Sequence, residues 1–220
     1  MFVRFCALFV AGFLLLSGSA SATNFSFTGT FGTDDEHQIF SFTVASTSTI
    51  TLRTWSYAGG TNAAGTLIAR GGFDPILALF DSTGAKIGEN DDGGCGLVAG
   101  DAVTTACWDT FFTATVNAGT YFASVQEYDN FNLGTLADGF SRDGQGNFTG
   151  GFNCPDDQPS FQDVTGLPGC GRTNAWAFDI LGVDTATVEN PTGVPEPASL
   201  ALLGAGLIGL GFKRSRRKRQ

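Results

Sequence analysis

Two short runs, Asp34-Asp35-Glu36 and Glu89-Asn90-Asp91-Asp92, hold the densest carboxylates of the 220-residue chain. Calcium takes roughly six to eight oxygen ligands, and Asp-rich loops are its usual source in proteins. Neither run has the D-x-D-x-D-G spacing of an EF-hand. A calcium site would therefore have to be assembled by the fold, with Asp91 and Asp92 as the expected ligands. Ordinary turn chemistry competes with that reading, because Asp and Asn also reverse and cap chains. Nucleophilic hydrolysis is harder to build: His37 is the sole histidine and adjoins an acidic turn, and neither G-x-S-x-G nor H-E-x-x-H occurs. A carboxylate pair can cleave glycosides, but with 21 acids in the chain such a pair is no signal. Trp55, Tyr57, Trp108, Tyr128 and Trp176 could stack on sugars, although aromatics in a sheet protein are mostly core. The alternating Thr47, Thr49 and Thr51 form a hydroxyl-bearing strand face, which β-propensity explains equally well. The chemistry expected is thus binding, with no catalytic residue and no cofactor beyond a possible Ca2+.

The elements that must carry these groups are strands. Apolar residues alternate in Phe25–Phe31, Ile39–Val44 and Ile50–Trp55, and Ile76–Asp81 is a compact apolar run. Thr110–Val116 and Thr120–Tyr128 flank the turn Asn117-Ala118-Gly119, and Asn174–Val183 reads as the last strand. With 31 Gly and no amphipathic helical pattern between residues 23 and 193, this is an all-β, antiparallel β-sandwich or jelly-roll. Two Gly- and Asp-rich stretches, 88–109 and 130–173, break the rhythm and read as long surface loops. They contain Cys95 and Cys107, and Cys154 and Cys170, respectively. Four cysteines allow three disulfide connectivities; the short closures Cys95–Cys107 and Cys154–Cys170 are preferred over the crossed ones. A zinc site competes, but the chain has no C-x-x-C pair and its histidine is remote in sequence.

Both ends are processing segments. Residues 1–22 combine Arg4, an apolar run from Phe5 to Leu16 and the small-residue site Ala20-Ser21-Ala22, which is the pattern of a secretory signal peptide cleaved after Ala22. At the other end, an uncharged stretch 198–212 is expected to form a transmembrane helix, and six of the residues 213–220 are Lys or Arg. Fifteen apolar residues span only ~22 Å as a helix, short for a ~30 Å hydrocarbon core. That suits a temporary stop-transfer segment with its basic flank held in the cytoplasm. Val194-Pro195-Glu196-Pro197, the helix and the basic tail, 194–220 in all, closely resemble the PEP-CTERM sorting signal of exported Gram-negative proteins. The resemblance implies recognition at Pro195-Glu196-Pro197 by a membrane-embedded exosortase that removes the helix and tail, in bacteria that make exopolysaccharide.

The central part, 23–193, is then one exported domain. Its segment FDPILALFDSTGAKIGENDDGG, Phe73 to Gly94, is similar to the bacterial pre-peptidase C-terminal domain, a small jelly-roll appended to secreted enzymes. The long cysteine-containing inserts depart from that pattern, so its binding surfaces do not carry over. Five basic residues against twenty acids give this part a net charge of −15, while the chain as a whole carries −9. Such a domain excludes nucleic acid as a partner and repels anionic polysaccharide unless a divalent cation bridges the two. The expected function is that of a non-enzymatic cell-surface or biofilm-matrix protein, anchored at the inner membrane before sorting. The alternative is a carbohydrate- or protein-binding module, adhesive, with calcium as its candidate cofactor.

Overall fold

In the computed structural model residues 23–189 are described; the signal-peptide segment and the sorting segment lie outside them. Eleven strands alternate with turns: β1 (Thr23–Thr30), β2 (His37–Val44), β3 (Ser48–Thr54), β4 (Gly60–Thr61), β5 (Leu67–Ile68), β6 (Pro75–Phe80), β7 (Lys86–Asn90), β8 (Phe111–Val116), β9 (Gly119–Glu127), β10 (Ala175–Val183) and β11 (Thr185–Glu189). They form an antiparallel sheet β1-β10-β3-β8, a second antiparallel sheet β11-β2-β9-β6-β7, and the small ribbon β4-β5. Among the described residues helix is confined to two single 3-10 turns, Leu136–Asp138 and Phe148–Gly151. No helix among the described residues is long and apolar enough to cross a membrane.

The period-two pattern fixes which face of each strand points inward. Phe40, Phe42 and Val44 of β2 are buried, and so are Ile50 and Leu52 of β3; their partly covered neighbours Ser41, Thr43 and Thr51 face away. The inner faces of both sheets meet in one cluster that includes Phe40, Leu52, Leu77, Leu79, Val125, Phe178 and Ile180. Phe40 packs on Phe27, Phe178 and Trp176, and Phe31 stacks on Phe73. Each such aromatic contributes about 1.5–3 kcal/mol of apolar burial, so this seam holds the two layers together. The hydroxyl rows lie outside it: Thr49 pairs with Thr115, and Thr43 with Thr185.

β6 departs from the alternation, because every residue from Pro75 to Phe80 is buried. One face of the strand, with Leu77 and Leu79, meets the core, and the segment that follows β9 covers the neighbouring edge. That cover is stitched to the edge strand β7: Asn132 donates its backbone N–H to Glu89, and Lys86 donates to the Asn132 carbonyl. Strands β7 and β11 lie within or beyond segments that the apolar pattern leaves unassigned. KIGEN and TATVE carry too few apolar residues to show a buried face, and both strands are sheet edges.

The two inserts are more than surface loops. Disulfides Cys95–Cys107 and Cys154–Cys170 close them locally, and their polar side chains are drawn into the interior. Asp34, fully buried, accepts hydrogen bonds from the Thr149 amide, the Thr149 hydroxyl and the Phe161 amide, so the first acidic run anchors the second insert. Arg172 closes the other end: it is buried, donates to the carbonyls of Gly72, Tyr57 and Gly169, and sits 3.6 Å from Asp101 of the first insert. Its guanidinium also lies 3.6 Å over the Tyr57 ring. Tyr57 and Trp176, candidates for sugar stacking in the sequence, are therefore core residues at 0% and 6% exposure.

Candidate functional site

β6 and β7 pair with Leu77 opposite Asn90, and β6 and β9 with Pro75 opposite Glu127. This register brings Asp74, the residue before β6, beside Asp91 and Asp92, the residues after β7. Each of the three offers a carboxylate oxygen within 4.8 Å of the other two. The backbone around them is pinned. Tyr128 donates its amide to the Asp74 carbonyl, the Asn90 side chain donates to the Asp92 carbonyl and accepts from the Phe111 amide, and Gly93 donates to the Asp109 carbonyl. A Cβ on Gly93 would lie 2.7 Å from Val98 and 3.0 Å from the Asp109 carbonyl, so the chain leaves the site through a passage only glycine fits.

Electrostatically the site is unsettled. Asp74 is 4% exposed and its Oδ1 has no hydrogen-bond partner; Oδ1 of Asp91 is likewise buried and unpartnered. Burial first, and then the negative charges of Asp91 and Asp92, push the Asp74 carboxyl well above the ordinary range. Burial together with Asp92, Asp129 and Glu89 pushes Asp91 up to about 7, and burial raises Asp92. Glu127, fully buried with both oxygens unpartnered, is raised by burial and by Asp34 and Asp74. A buried carboxylate without hydrogen bonds or a counter-charge is costly, and here the buried Asp74 converges with the half-buried Asp91 and the exposed Asp92.

Every other strongly buried aspartate has its partners. Asp109 accepts from Thr54, Tyr57 and Ala58; Asp163 accepts from Tyr57 and Thr165; Asp179 accepts from Ser26, Trp55 and Ala63. Asp101 is held by Arg70 and by the amides of Val103 and Thr104; despite burial, these keep its carboxyl well below the usual range. The five basic side chains are also committed: Arg53 lies 3.7 Å over Trp55, Arg70 and Arg172 face Asp101, Lys86 pairs with Glu89, and Arg142 with Asp129. A second cluster, Cys154, Asp156 and Cys170, offers no thiolate to a metal, because its cysteines are joined in the disulfide and Asp156 accepts from the amides of Gly169 and Gly171.

Of the residues the sequence singled out, Asp91 and Asp92 come together, and Asp34 does not join them. Asp74 was missed: it lies far from Asp91 in sequence, and only the pairing of β6 with β7 reveals it. His37 stacks on Phe140 at 4.1 Å and lies 3.6 Å from Asp143; burial, partly offset by Asp143 and Asp35, lowers its pKa. Among the described residues no serine hydroxyl is hydrogen-bonded to it, and its Nδ1 has no hydrogen-bond partner. A groove between the β4-β5 ribbon and the β1-β10 pair is lined by Thr28, Gly29, Leu67, Ile68 and Trp176, and no carboxylate, imidazole or thiol lines it.

The described residues thus define an all-β, disulfide-bonded protein of two packed antiparallel sheets, with an acidic surface and a carboxylate cluster at the strand ends. Beyond them, residues 193–217 match the family described as the PEP-CTERM protein-sorting motif. The motif implies an exported, membrane-associated precursor that is processed by exosortase. It covers the span in which Val194, Pro195, Glu196 and Pro197 stand. No curated protein matches the chain.

Proposed function

We propose that the chain is a non-enzymatic component of the cell surface or of the exopolysaccharide matrix, delivered by exosortase. The match of residues 193–217 to the sorting motif carries this reading. The architecture supports it: the domain is locked by two disulfides, which form in oxidising compartments, and its twenty acids make it soluble. Arg4 and the cluster 213–220 keep the two ends in the cytoplasm while the acidic domain crosses. The stretch 198–212 then halts export, and exosortase cleaves near Pro195-Glu196-Pro197 at the inner membrane. Intact-mass measurement of the exported protein tests the proposal. The expected species begins at Thr23 and lacks Phe212 to Gln220; an exported product that retains the tail refutes it.

A second reading, an adhesive module for polysaccharide or protein, is favoured by the carboxylate cluster and by Tyr128 beside it. Burial and then Asp129, Asp91, Asp74 and Asp92 raise the pKa of this tyrosine, and its ring packs edge-on to Phe131. A glycan array probed with the exported protein separates the readings, because only the adhesive module gives specific spots that chelation removes.

A further inference from the structure

We propose that Asp74, Asp91 and Asp92 together bind one calcium ion, which fastens the Cys95–Cys107 insert to the second sheet. Their oxygens lie within 4.8 Å of one another. An ion held at about 2.3–2.6 Å from each ligand fits among atoms up to about 5 Å apart. Magnesium, at about 2.0–2.1 Å and with strict octahedral demands, fits such a spacing less well. The donor set is oxygen alone, which selects a hard cation over zinc or copper.

The second observation is independent of how many acids are present. Asp74 is buried to 4% exposure, points into the cluster and has an unpartnered oxygen. The same fold supplies several donors to each of Asp34, Asp101, Asp109 and Asp179. No hydrogen bond among the described residues reaches the carboxylates of Asp74, Asp91 or Asp92. A bound cation satisfies all three at once and offsets the nearby charge of Asp129 and Glu89 that acts on Asp91. Three carboxylates carry six oxygens; Asp92 is exposed, so water completes the shell on its side.

The ligands come from two chain segments. Asp74 is fixed by Pro75 at the start of β6, and Asp91 and Asp92 open the insert that leads to Cys95. The ion is therefore a cross-link between the sheet and that insert. It acts on a backbone already set by the Tyr128, Asn90 and Gly93 hydrogen bonds.

The test uses the full chain purified in detergent, stripped with EGTA and then titrated with calcium chloride or magnesium chloride. Wild type is expected to bind one calcium with a dissociation constant at or below about 1 mM, the range of extracellular sites. At 100 times that constant the melting temperature is expected to rise by about 5–10 °C. Asp74→Asn and Asp91→Asn provide the decisive contrast. Each removes like-charge repulsion, so each is expected to melt higher than wild type in EGTA and to lose the calcium response. Asp156→Asn, outside the cluster, keeps the response. No calcium bound by wild type, undiminished binding by Asp74→Asn, or preference for magnesium would each overturn the proposal. The test is separate from the delivery reading, since a chain that binds no calcium is still sorted and trimmed.

Discussion

Replacing Arg172 with methionine is the sharpest probe of how this domain is held together. The side chain is 1% exposed, donates to the carbonyls of Gly72 at 3.0 Å, Tyr57 at 2.6 Å and Gly169 at 3.3 Å, and lies 3.6 Å from Asp101. Methionine fills much of the same space but donates nothing. The carbonyls of Gly72 and Gly169 then lose this donor, while that of Tyr57 keeps the Gly71 amide, and leaving a buried polar group unpaired costs about 1–3 kcal/mol. The desolvation penalty of the lost guanidinium is returned, and Asp101 keeps Arg70 and its amide donors. The net loss is expected to be about 3–5 kcal/mol, the range for breaking a buried ion pair by removing one partner. At about 2–4 °C per kcal/mol for a domain of this size, the melting temperature falls by about 6–20 °C. Urea unfolding followed by tryptophan fluorescence reads the change directly, with the denaturant slope unchanged. Arg172→Lys retains the charge but cannot reach three carbonyls with a planar fork, and is expected to recover less than half. If Arg172→Met unfolds within about 1 kcal/mol of wild type, the junction between the two inserts and the sandwich is not where stability resides, and the reasoning fails.

Two further outcomes follow from the same geometry. Removing Cys154–Cys170 with the double Ser variant is expected to cost about 3 kcal/mol, the loop-closure value for a separation of 16 residues, as measured by chemical denaturation; wild-type stability in the variant refutes it. In EGTA, the calcium-free protein is expected to be more stable near pH 5 than near pH 8. Asp74 and Asp91 are raised above their unfolded values by burial and by neighbouring carboxylates, with Asp129 and Glu89 facing Asp91, and Asp92 is raised by burial. Their contribution is therefore present below the ordinary carboxylate pKa, near ~4, and is lost as pH rises through Asp91's value of about 7. The lowered pKa of Asp101 has the opposite sign and is lost only in stronger acid. Thermal scans from pH 5 to pH 8 with and without calcium check this, and a flat profile in EGTA refutes it.

How far the sequence reveals this molecule depends on burial. β2, β3, β6, β8, β9 and β10 are legible because one or both faces are apolar: Phe40, Phe42 and Val44 alternate, and Ile76–Phe80 is continuous. β7 and β11 are edge strands in which Lys86, Glu89, Thr185 and Thr187 are polar and the apolar Ile87 and Val188 are exposed, so no periodicity marks them. The two inserts read as loops because many of their buried residues are polar, Asp101, Thr104, Asp163 and Arg172 among them, and the apolar ones, Val98, Phe140 and Phe161, are isolated in sequence. Polar burial has no period, since each group is placed by a specific partner. Asp91 and Asp92 stood out as neighbours in the sequence; Asp74 could be found only through the strand register. The Asp-Pro step ahead of an apolar run was its only local mark.

Each of the five cations of the described domain is committed to an acid or an aromatic ring within the fold. To a neighbour the domain is thus a rigid polyanion with no basic patch to offer. Copies repel one another over the ~8–10 Å range of electrostatic screening at physiological salt, which favours an even spread over a surface and opposes clumping. Added divalent ions weaken that repulsion far more than monovalent salt of equal ionic strength when they can bind between facing carboxylates. The spacing of such molecules in a polymer layer would then follow the hardness of the surrounding water.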